Sequence, residues 1–193
     1  VSVYFDKIIS KQFGFERTIN TNHKKQNGVF LTNSLGAVDN ILSVVEINSN
    51  IFHKKILEPS CGQGIFILKL ISNVYKVFPD DKLIHYFISK NIFFVDIQKE
   101  MVEKTISNIK SLYKYLFGID YSGPFNCIVN DFTDKPSKNI LLFDEPSENP
   151  FVSLYNSFDY VIGNPPYVTL YGRRDKKQSE TQRINYLRNY NQF

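Results

Sequence analysis

The sequence has 193 residues, of which 42% are hydrophobic and 15% aromatic, and its formal net charge is +4. This length and apolar content favour a globular domain with a sizeable core and exclude a disordered chain. The mild positive charge permits a nucleic-acid partner without demanding one. No stretch of ~18 uncharged apolar residues is present, so we expect a cytoplasmic protein that has no membrane partner.

The two cysteines, Cys61 and Cys127, stand in unrelated contexts. Two thiols without the spacing of metal ligands fit a reducing compartment. The sequence therefore predicts neither a disulfide nor a metal site.

Helical patterns dominate the N-terminal quarter of the chain. Apolar residues at roughly helical spacing predict an amphipathic helix within residues 3–20. After a polar loop, one of Thr32, Asn33 or Ser34 can cap a second helix. The apolar face of that helix is predicted to consist of Leu35, Val38, Ile41, Leu42 and Val45.

Short apolar runs and helical patterns alternate through the rest of the chain. The pattern predicts strands at residues 55–58, 92–96, 126–130 and 158–162. Helices are predicted after Gly64, over residues 79–90 and from Gln98 to about Phe117, the first with Phe66, Leu70, Ile71, Val74 and Tyr75 on its inner side. Such alternation is typical of parallel βαβ units. The segment 133–157 is polar and irregular, and its pattern indicates no element beyond a strand or a helix at residues 140–143.

The loop Glu58-Pro59-Ser60-Cys61-Gly62-Gln63-Gly64 lies between a predicted strand and a predicted helix. Glycines let the backbone approach a ligand closely, and a helix N-terminus exposes N–H donors. A dinucleotide fingerprint would require G-x-G-x-x-G, and only G-x-G is present. Glu58 would repel a phosphate but would suit an ammonium group, such as that of S-adenosylmethionine. The alternative is a tight turn with an incidental acid.

Acidic residues also follow the next two predicted strands. Asp96 ends the second strand, where a carboxylate can accept hydrogen bonds from both hydroxyls of a ribose. It could also cap the next helix. Asp131 and Phe132 follow the third strand, where an acid can accept from an adenine amino group while a ring stacks on the base. Alone, such a sequence is more often a simple turn.

The sharpest signal is Asn164-Pro165-Pro166-Tyr167, which follows the fourth predicted strand. The prolines hold the Asn164 side chain and the Pro165 carbonyl in a stiff, extended turn. Two oxygen acceptors on a rigid frame can receive both hydrogens of a planar amino group, and Tyr167 offers a face for stacking. A proline-rich turn without function is less favoured, because the asparagine, the prolines and the aromatic ring coincide.

The order of these motifs resembles that of the amino-methyltransferases, and more closely the adenine-N6-specific DNA methyltransferases. Residues 28–33 resemble the family's G-x-x-x-T-P segment, with Asn33 in place of the usual proline. Residues 57–64 are similar to its E-P-[SA]-C-G-x-G loop. The other matches are Asp96 with the ribose acid, Asp131-Phe132 with the adenine-binding pair and Asn164–Tyr167 with the catalytic tetrad.

This resemblance implies a Rossmann-like α/β fold with a mostly parallel sheet flanked by helices. It implies methyl transfer from S-adenosyl-L-methionine to the N6 amino group of adenine in double-stranded DNA, within a restriction-modification system. The adenine would be flipped out of the duplex, and no titratable base would be needed. Residues 1–50 would form a helical region with a cofactor-wrapping segment, and residues 51–193 the catalytic domain.

The residues implied by the resemblance fall into two groups. The catalytic residues would be Asn164, Pro165, Pro166 and Tyr167. The cofactor-binding residues would be Thr32, Glu58, Pro59, Ser60, Cys61, Gly62, Gly64, Asp96, Ile97, Asp131, Phe132 and Asn164.

The position of the tetrad also carries an expectation about the whole polypeptide. The segment between Phe132 and Phe158 is too short for a target-recognition domain. The order therefore resembles the subgroup that places recognition after the tetrad. Catalytic domains of this family usually continue for three more strands, so we expect the N-terminal part of a longer polypeptide, truncated after the fourth strand.

Two other functions remain open. Methylases of glutamine side chains in release factors, and of exocyclic amines in RNA, share the Asn-Pro-Pro-Tyr motif because an amide amino group poses the same chemical problem. The Glu-Pro-Ser-Cys loop and residues 28–32 favour DNA. The other possibility is a fragment that binds cofactor weakly or not at all, since missing strands would leave an exposed sheet edge.

Overall fold

A computed structural model of the chain describes residues 35–130 and 157–164, together with Tyr4, Phe5, Ile8 and Ser10. These four N-terminal residues are helical, as predicted for residues 3–20, and Phe5 and Ile8 are buried. Several predictions lie outside the described residues: those for Thr32, Asp131, Phe132, Pro165, Pro166 and Tyr167.

Helices and strands alternate along the described chain. The helices are α1 (Leu35–Leu42), α2 (Ile65–Val77), α3 (Asp81–Tyr86) and α4 (Lys99–Phe117), and the strands are β1 (Ile56–Glu58), β2 (Ile92–Asp96), β3 (Asn126–Val129) and β4 (Tyr160–Val161). A 3₁₀ helix, Ser49–His53, precedes β1, and a π-helical turn, Phe87–Asn91, joins α3 to β2. None of the helices in the described ranges is long and apolar enough to cross a membrane.

The four strands form one sheet in the order β3-β2-β1-β4, and every neighbouring pair is parallel. Ile56 of β1 pairs with Ile92 on one side and with Tyr160 on the other. The chain thus advances from β1 to β3 in one direction and then returns to the far side of β1. Ligands of open α/β sheets bind at such a reversal, outside the carboxyl ends of the strands. The predicted α/β fold is confirmed, and its reversal point lies between β1 and β4.

The main core lies between one face of the sheet and the helices. Ile56, Phe94 and Ile162 contribute from the sheet, and α2 and α4 cover them. Burial extends almost around α2, beyond the predicted inner side, to include Ile65, Ile67 and Leu68. A smaller cluster on the opposite face consists of Leu57, Phe93 and Val95, with Phe158 packed against it.

The prediction of a helix over residues 79–90 is only partly correct. Asp80 caps α3 by accepting a 2.9 Å hydrogen bond from the backbone N–H of Leu83. Regular α-helix ends at Tyr86, however, and the π-helical turn follows. Within that turn the Ser89 hydroxyl donates to the Tyr86 carbonyl at 3.1 Å, a side-chain bond that competes with the regular backbone pattern.

Two burial predictions are also wrong. Ile41 was expected on the inner face of α1, but its side chain is 36% exposed. Residues 158–162 were expected to form a buried strand, yet β4 covers only Tyr160–Val161 and Val161 is 62% exposed. The strand is an edge strand within the described sheet, so one of its faces has less cover than that of a central strand.

Candidate functional site

The β1–α2 loop, residues 59–64, makes its turn with two glycines in the left-handed region of backbone space. Gly62 has φ 53° and Gly64 has φ 80°. A Cβ atom at Gly64 would lie 2.7 Å from Cγ2 of Thr105 on α4, closer than real Cβ contacts allow. Gly64 also begins α2 as its N-cap. Glycine is therefore required at position 64 both for its conformation and for its size.

The end of β2 holds this loop in place. The Cys61 N–H donates to the Val95 carbonyl at 2.8 Å, and the Gly62 N–H donates to Oδ2 of Asp96 at 2.9 Å. The second Asp96 oxygen accepts from the Gln98 N–H, also at 2.9 Å. Asp96 is only 8% exposed, so it is a buried tie between loop and helix rather than an exposed strand-end acid. The Ile97 N–H also acts on this carboxylate. A carboxylate has about four acceptor sites, so one remains for another donor.

Glu58, at the end of β1, is a buried acid with spare hydrogen-bonding capacity. Its side chain is 2% exposed, and its Oε2 atom has no hydrogen-bond partner. The carboxyl group accepts from the backbone N–H of Ile67, one of the unpaired donors of the first turn of α2. The hydroxyl oxygen of Ser60 is likewise buried without a partner. Burial of unpaired polar groups is costly, which points to a ligand with complementary donors and acceptors.

The two neighbouring acids make the site unfavourable for further negative charge. Burial raises the pKa of the Glu58 carboxyl well above its ordinary value, the charge of Asp96 raises it further, and the Ile67 N–H opposes the rise. Burial also raises the pKa of Asp96, against the effect of the N–H groups of Gln98 and Gly62. A cationic group placed here would favour ionisation of both acids, whereas a phosphate would oppose it.

Cys61 does not supply a nucleophile to this site. Its side chain is 3% exposed. Burial and then the charge of Glu58 raise the pKa of the Cys61 thiol well above its ordinary value. Since the thiolate is the reactive form, the geometry gives Cys61 a packing role in the loop.

The end of β4 reaches the same edge of the sheet as Glu58. The Ile162 N–H donates to the Leu57 carbonyl at 2.9 Å, which extends the pairing with β1. Gly163 follows at φ 152°, and a Cβ atom there would lie 3.5 Å from Cγ of Glu58 and 3.7 Å from Cδ of Pro59. Asn164 comes next and is partly buried. The residue directly before the predicted tetrad therefore packs against Glu58 and Pro59.

An ion pair holds the opposite end of the β1–β4 pair. Nζ of Lys54 lies 2.8 Å from Oδ1 of Asp159, and the Lys55 N–H donates to Oδ2 at 2.8 Å. The Asp159 N–H returns a 2.9 Å bond to the Lys55 carbonyl. The hydrogen bonds from Lys54 and from the Lys55 N–H lower the pKa of Asp159 below its ordinary value. These contacts fix the register of the β1–β4 pair at its start, and Asn164 follows the other end of β4.

Two residues of α4 that contact the loop were not predicted from the sequence. Thr105 donates to the Gly62 carbonyl at 3.0 Å, and Asn108 donates through Nδ2 to the Gln63 carbonyl at 3.0 Å. Thr105 is fully buried among apolar neighbours. A polar residue on the apolar side of an amphipathic helix was the available signal, with a second polar residue three positions later on the same side.

The structure thus brings together one group of the predicted site residues. Glu58, Pro59, Ser60, Cys61, Gly62, Gly64, Asp96 and Asn164 lie at the carboxyl edge of the sheet around β1. Ile97 follows Asp96 with a side chain that is 58% exposed. Thr32, Asp131, Phe132, Pro165, Pro166 and Tyr167 lie outside the described ranges, and their roles remain predictions. Within those ranges, no three histidine, cysteine or acidic side chains form a group that could hold a metal.

Comparison with known proteins places this geometry in context. The model of the Eco57I restriction-modification methylase family matches residues 90–193, more than half of the chain. No curated protein sequence matches.

Two solved structures match part of this chain, and the first shows a similar fold. One is a nuclease-deletion mutant of the Type ISP restriction-modification enzyme LlaGI in complex with a DNA substrate mimic, with a TM-score of 0.53 and 16% identity. The match covers 77% of this chain and 13% of that one, so the chain spans a small part of LlaGI. The other is a DrdV–DNA complex, with a TM-score of 0.45 and 18% identity over 62% of this chain and 12% of that one.

Proposed function

Because this chain belongs to the Eco57I restriction-modification methylase family, we propose that it carries the methyl-donor site and part of the catalytic site of an adenine-N6-specific DNA methyltransferase. The observation that carries the proposal is the junction of β1 and β4. There the side chain of Glu58, whose Oε2 atom is buried and unpartnered, packs with its Cγ atom 3.5 Å from the position that a Cβ of Gly163 would occupy, and Asn164 follows Gly163 directly. An acid suited to a cationic donor and an amide suited to an amino group thus share one edge of the sheet.

S-adenosylmethionine is the donor that these residues fit. When bound, it supplies an activated methyl group on a positively charged sulfur. Oε2 of Glu58 is a free acceptor for its ammonium group, and the buried Ser60 hydroxyl is free to donate to its carboxylate. Asp96 keeps one acceptor site for a ribose hydroxyl after binding the N–H groups of Gly62, Gln98 and Ile97.

Asn164 is proposed to select and orient the acceptor base. Its carboxamide oxygen can accept one hydrogen of the adenine N6 amino group, which positions the nitrogen and increases its electron density. Residues Pro165, Pro166 and Tyr167 complete this role by resemblance, through a second carbonyl acceptor and a stacking face for a flipped base. Thr32, Asp131, Phe132 and Ile97 are proposed as further contacts to the donor.

The substrate is proposed to be double-stranded DNA within a restriction-modification system, and the chain to act as part of a longer polypeptide in the cytoplasm. In that arrangement residues 1–50 would form a helical region with a cofactor-wrapping segment, and residues 51–193 would form the catalytic domain.

The proposal is tested with the protein in its full natural length and S-adenosylmethionine carrying a labelled methyl group. Unmethylated genomic DNA, total RNA and a glutamine-containing release-factor protein are offered in separate reactions. We expect label in DNA alone. Label in RNA or protein would show that DNA is not the substrate. Absence of donor binding would overturn the proposal entirely.

A further inference from the structure

Two polar side chains of α4 contact the β1–α2 loop from behind. The Thr105 hydroxyl lies 3.0 Å from the Gly62 carbonyl oxygen and 3.6 Å from Sγ of Cys61. The oxygen is both nearer and the stronger acceptor, so it receives the single hydroxyl proton. A buried threonine in mid-helix often bonds a carbonyl of its own helix, and Thr105 instead bonds across to the loop. Three residues later, Asn108 binds the Gln63 carbonyl at 3.0 Å.

These two bonds set the direction of neighbouring peptide groups. In a planar trans peptide, the C=O and the N–H point to opposite sides. With the Gly62 carbonyl bound to Thr105, the N–H of Gln63 points away from α4. With the Gln63 carbonyl bound to Asn108, the N–H of Gly64 also points away from α4 and donates to the Cys61 carbonyl at 2.7 Å.

Thr105 also limits the space behind the loop. Its Cγ2 and Oγ1 atoms lie 2.7 and 3.0 Å from the position that a Cβ of Gly64 would occupy. The N-terminal helix supports the same contact, because the Tyr4 hydroxyl donates to the Asn108 carbonyl at 3.2 Å. The loop is therefore held from one side by α4 and from the other by Asp96, which binds the Gly62 N–H.

We propose that Thr105 and Asn108 are positioning residues for the methyl donor. They hold the carbonyl groups of Gly62 and Gln63 against α4, so that the backbone of the loop presents a preformed surface to the donor. The inference rests on the proposed function, since it takes S-adenosylmethionine as the ligand of this loop. Both side chains act through the loop backbone.

The test compares Thr105→Val with Thr105→Ser and Ile109→Val. Valine keeps the shape of threonine and removes the hydroxyl, whereas serine keeps the hydroxyl. Ile109 is a fully buried residue of the same helix that belongs to the main core, so its truncation is the matched control for a general loss of stability. Calorimetric titration with S-adenosylmethionine, well below each melting temperature, measures the dissociation constant.

We expect Thr105→Val to weaken binding about tenfold, the size expected when one buried hydrogen bond is lost. Thr105→Ser should stay within about twofold of the unaltered protein, and Ile109→Val should bind normally despite a lower melting temperature. Unchanged binding by Thr105→Val would overturn the inference, as would equal weakening by Ile109→Val. If the unaltered protein binds no S-adenosylmethionine, the proposed function itself is overturned, and this inference falls with it.

Asn108→Ala provides a second variant should Thr105→Val fail to fold. Asn108 is only partly buried, so its truncation is tolerated more easily. We expect several-fold weaker donor binding and normal binding by Ser111→Ala, which removes the hydroxyl that bonds the Ser107 carbonyl within the exposed side of α4. Normal binding by Asn108→Ala would contradict its positioning role.

Discussion

The backbone N–H of Gly62 donates a 2.9 Å hydrogen bond to Oδ2 of Asp96, which joins the β1–α2 loop to the end of β2. The other oxygen of the same carboxylate accepts from Gln98 at the start of α4. One buried side chain therefore connects the loop proposed to bind the donor, the strand beside it and the helix behind it.

Replacement of Asp96 by asparagine should disturb all three. An amide has one acceptor oxygen, so either Gly62 or Gln98 would face an NH₂ group instead of an acceptor. We expect a loss of about 1–3 kcal/mol in unfolding free energy and a clear loss of affinity for S-adenosylmethionine, measured by denaturant titration and calorimetry. Asp120→Asn, which breaks an exposed ion pair with Lys114, serves as control and should change neither. Normal donor binding by Asp96→Asn would contradict the role assigned to this acid.

Gly64→Ala should be more damaging than the same change at Gly118. Both glycines have positive φ, 80° and 74°, so each alanine pays about 1–2 kcal/mol for the left-handed conformation. A Cβ at Gly118 meets no atom within 4 Å, whereas a Cβ at Gly64 meets Thr105 at 2.7 Å. We expect an additional cost of about 1–3 kcal/mol at Gly64, measured as the difference in unfolding free energy. Equal costs would show that the loop moves freely away from α4.

The buried carboxyl of Glu58 should make stability depend on pH. Its pKa is raised in the folded state, so the folded protein retains a proton that the unfolded chain releases above about pH 4.3. The stabilising effect of that proton is complete below the unfolded pKa and is lost as pH rises through the folded pKa. Glu58→Gln should reduce this decline and leave the part that the raised pKa of Asp96 contributes, measured by denaturant unfolding across pH. Glu103→Gln, at a site 62% exposed, should leave the decline unchanged. Retention of the full decline in Glu58→Gln would assign it to another group.

Donor affinity should change in the opposite direction. An ionised Glu58 is the better acceptor for an ammonium group, so the affinity for S-adenosylmethionine should increase as pH rises through the pKa of Glu58. Calorimetry at several pH values in buffers of different ionisation enthalpy should also detect proton release on binding. The Glu58→Gln variant should bind weakly at every pH. A pH-independent affinity in the unaltered protein would place the ammonium group elsewhere.

Asp159→Asn should separate catalysis from donor binding. Its carboxylate binds Lys54 and the Lys55 N–H at the start of the β1–β4 pair, the end opposite the β1–α2 loop. We expect a lower rate of methyl transfer with nearly unchanged donor affinity, because Asn164 loses its register while the loop keeps its contacts to β2 and α4. The surface pair Lys114–Asp120 offers a matched control through Asp120→Asn. A parallel loss of donor binding would contradict this division of roles.

Much of this arrangement could be predicted from local sequence. Strand β2 agrees with its predicted limits, because five consecutive buried residues follow one helix and precede another. The turn at residues 59–64 was evident from its proline and glycines, and the β1–α2 loop forms at that place. The strand and the turn depend on residues that are close in sequence, so hydrophobic periodicity and turn residues predict both.

The remaining features depend on contacts between distant residues. Thr105 bonds Gly62 across 43 positions of the chain. The polar residue on the apolar side of α4 indicates a buried hydrogen bond, but the local sequence does not identify its partner. The position of β4 beside β1 likewise depends on tertiary contacts rather than on local sequence. The sequence allows Asp96 to be a ribose acid or a helix cap. In the structure Asp96 accepts from the N–H of Gln98, the N-cap residue of α4, and one acceptor site remains for a ribose hydroxyl. Val161 is exposed because β4 lies at the edge of the described sheet. The apolar sequence of residues 158–162 does not indicate that position.

Identification of the methylated nucleoside tests the central claim most directly. The unaltered full-length protein and its Asn164→Ala variant are incubated with S-adenosylmethionine and unmethylated genomic DNA, and the DNA is digested and analysed by mass spectrometry. We predict N6-methyladenine from the unaltered protein, none from the variant, and donor binding by both. A methylated cytosine as the product, or unreduced N6-methyladenine from Asn164→Ala, would contradict the account.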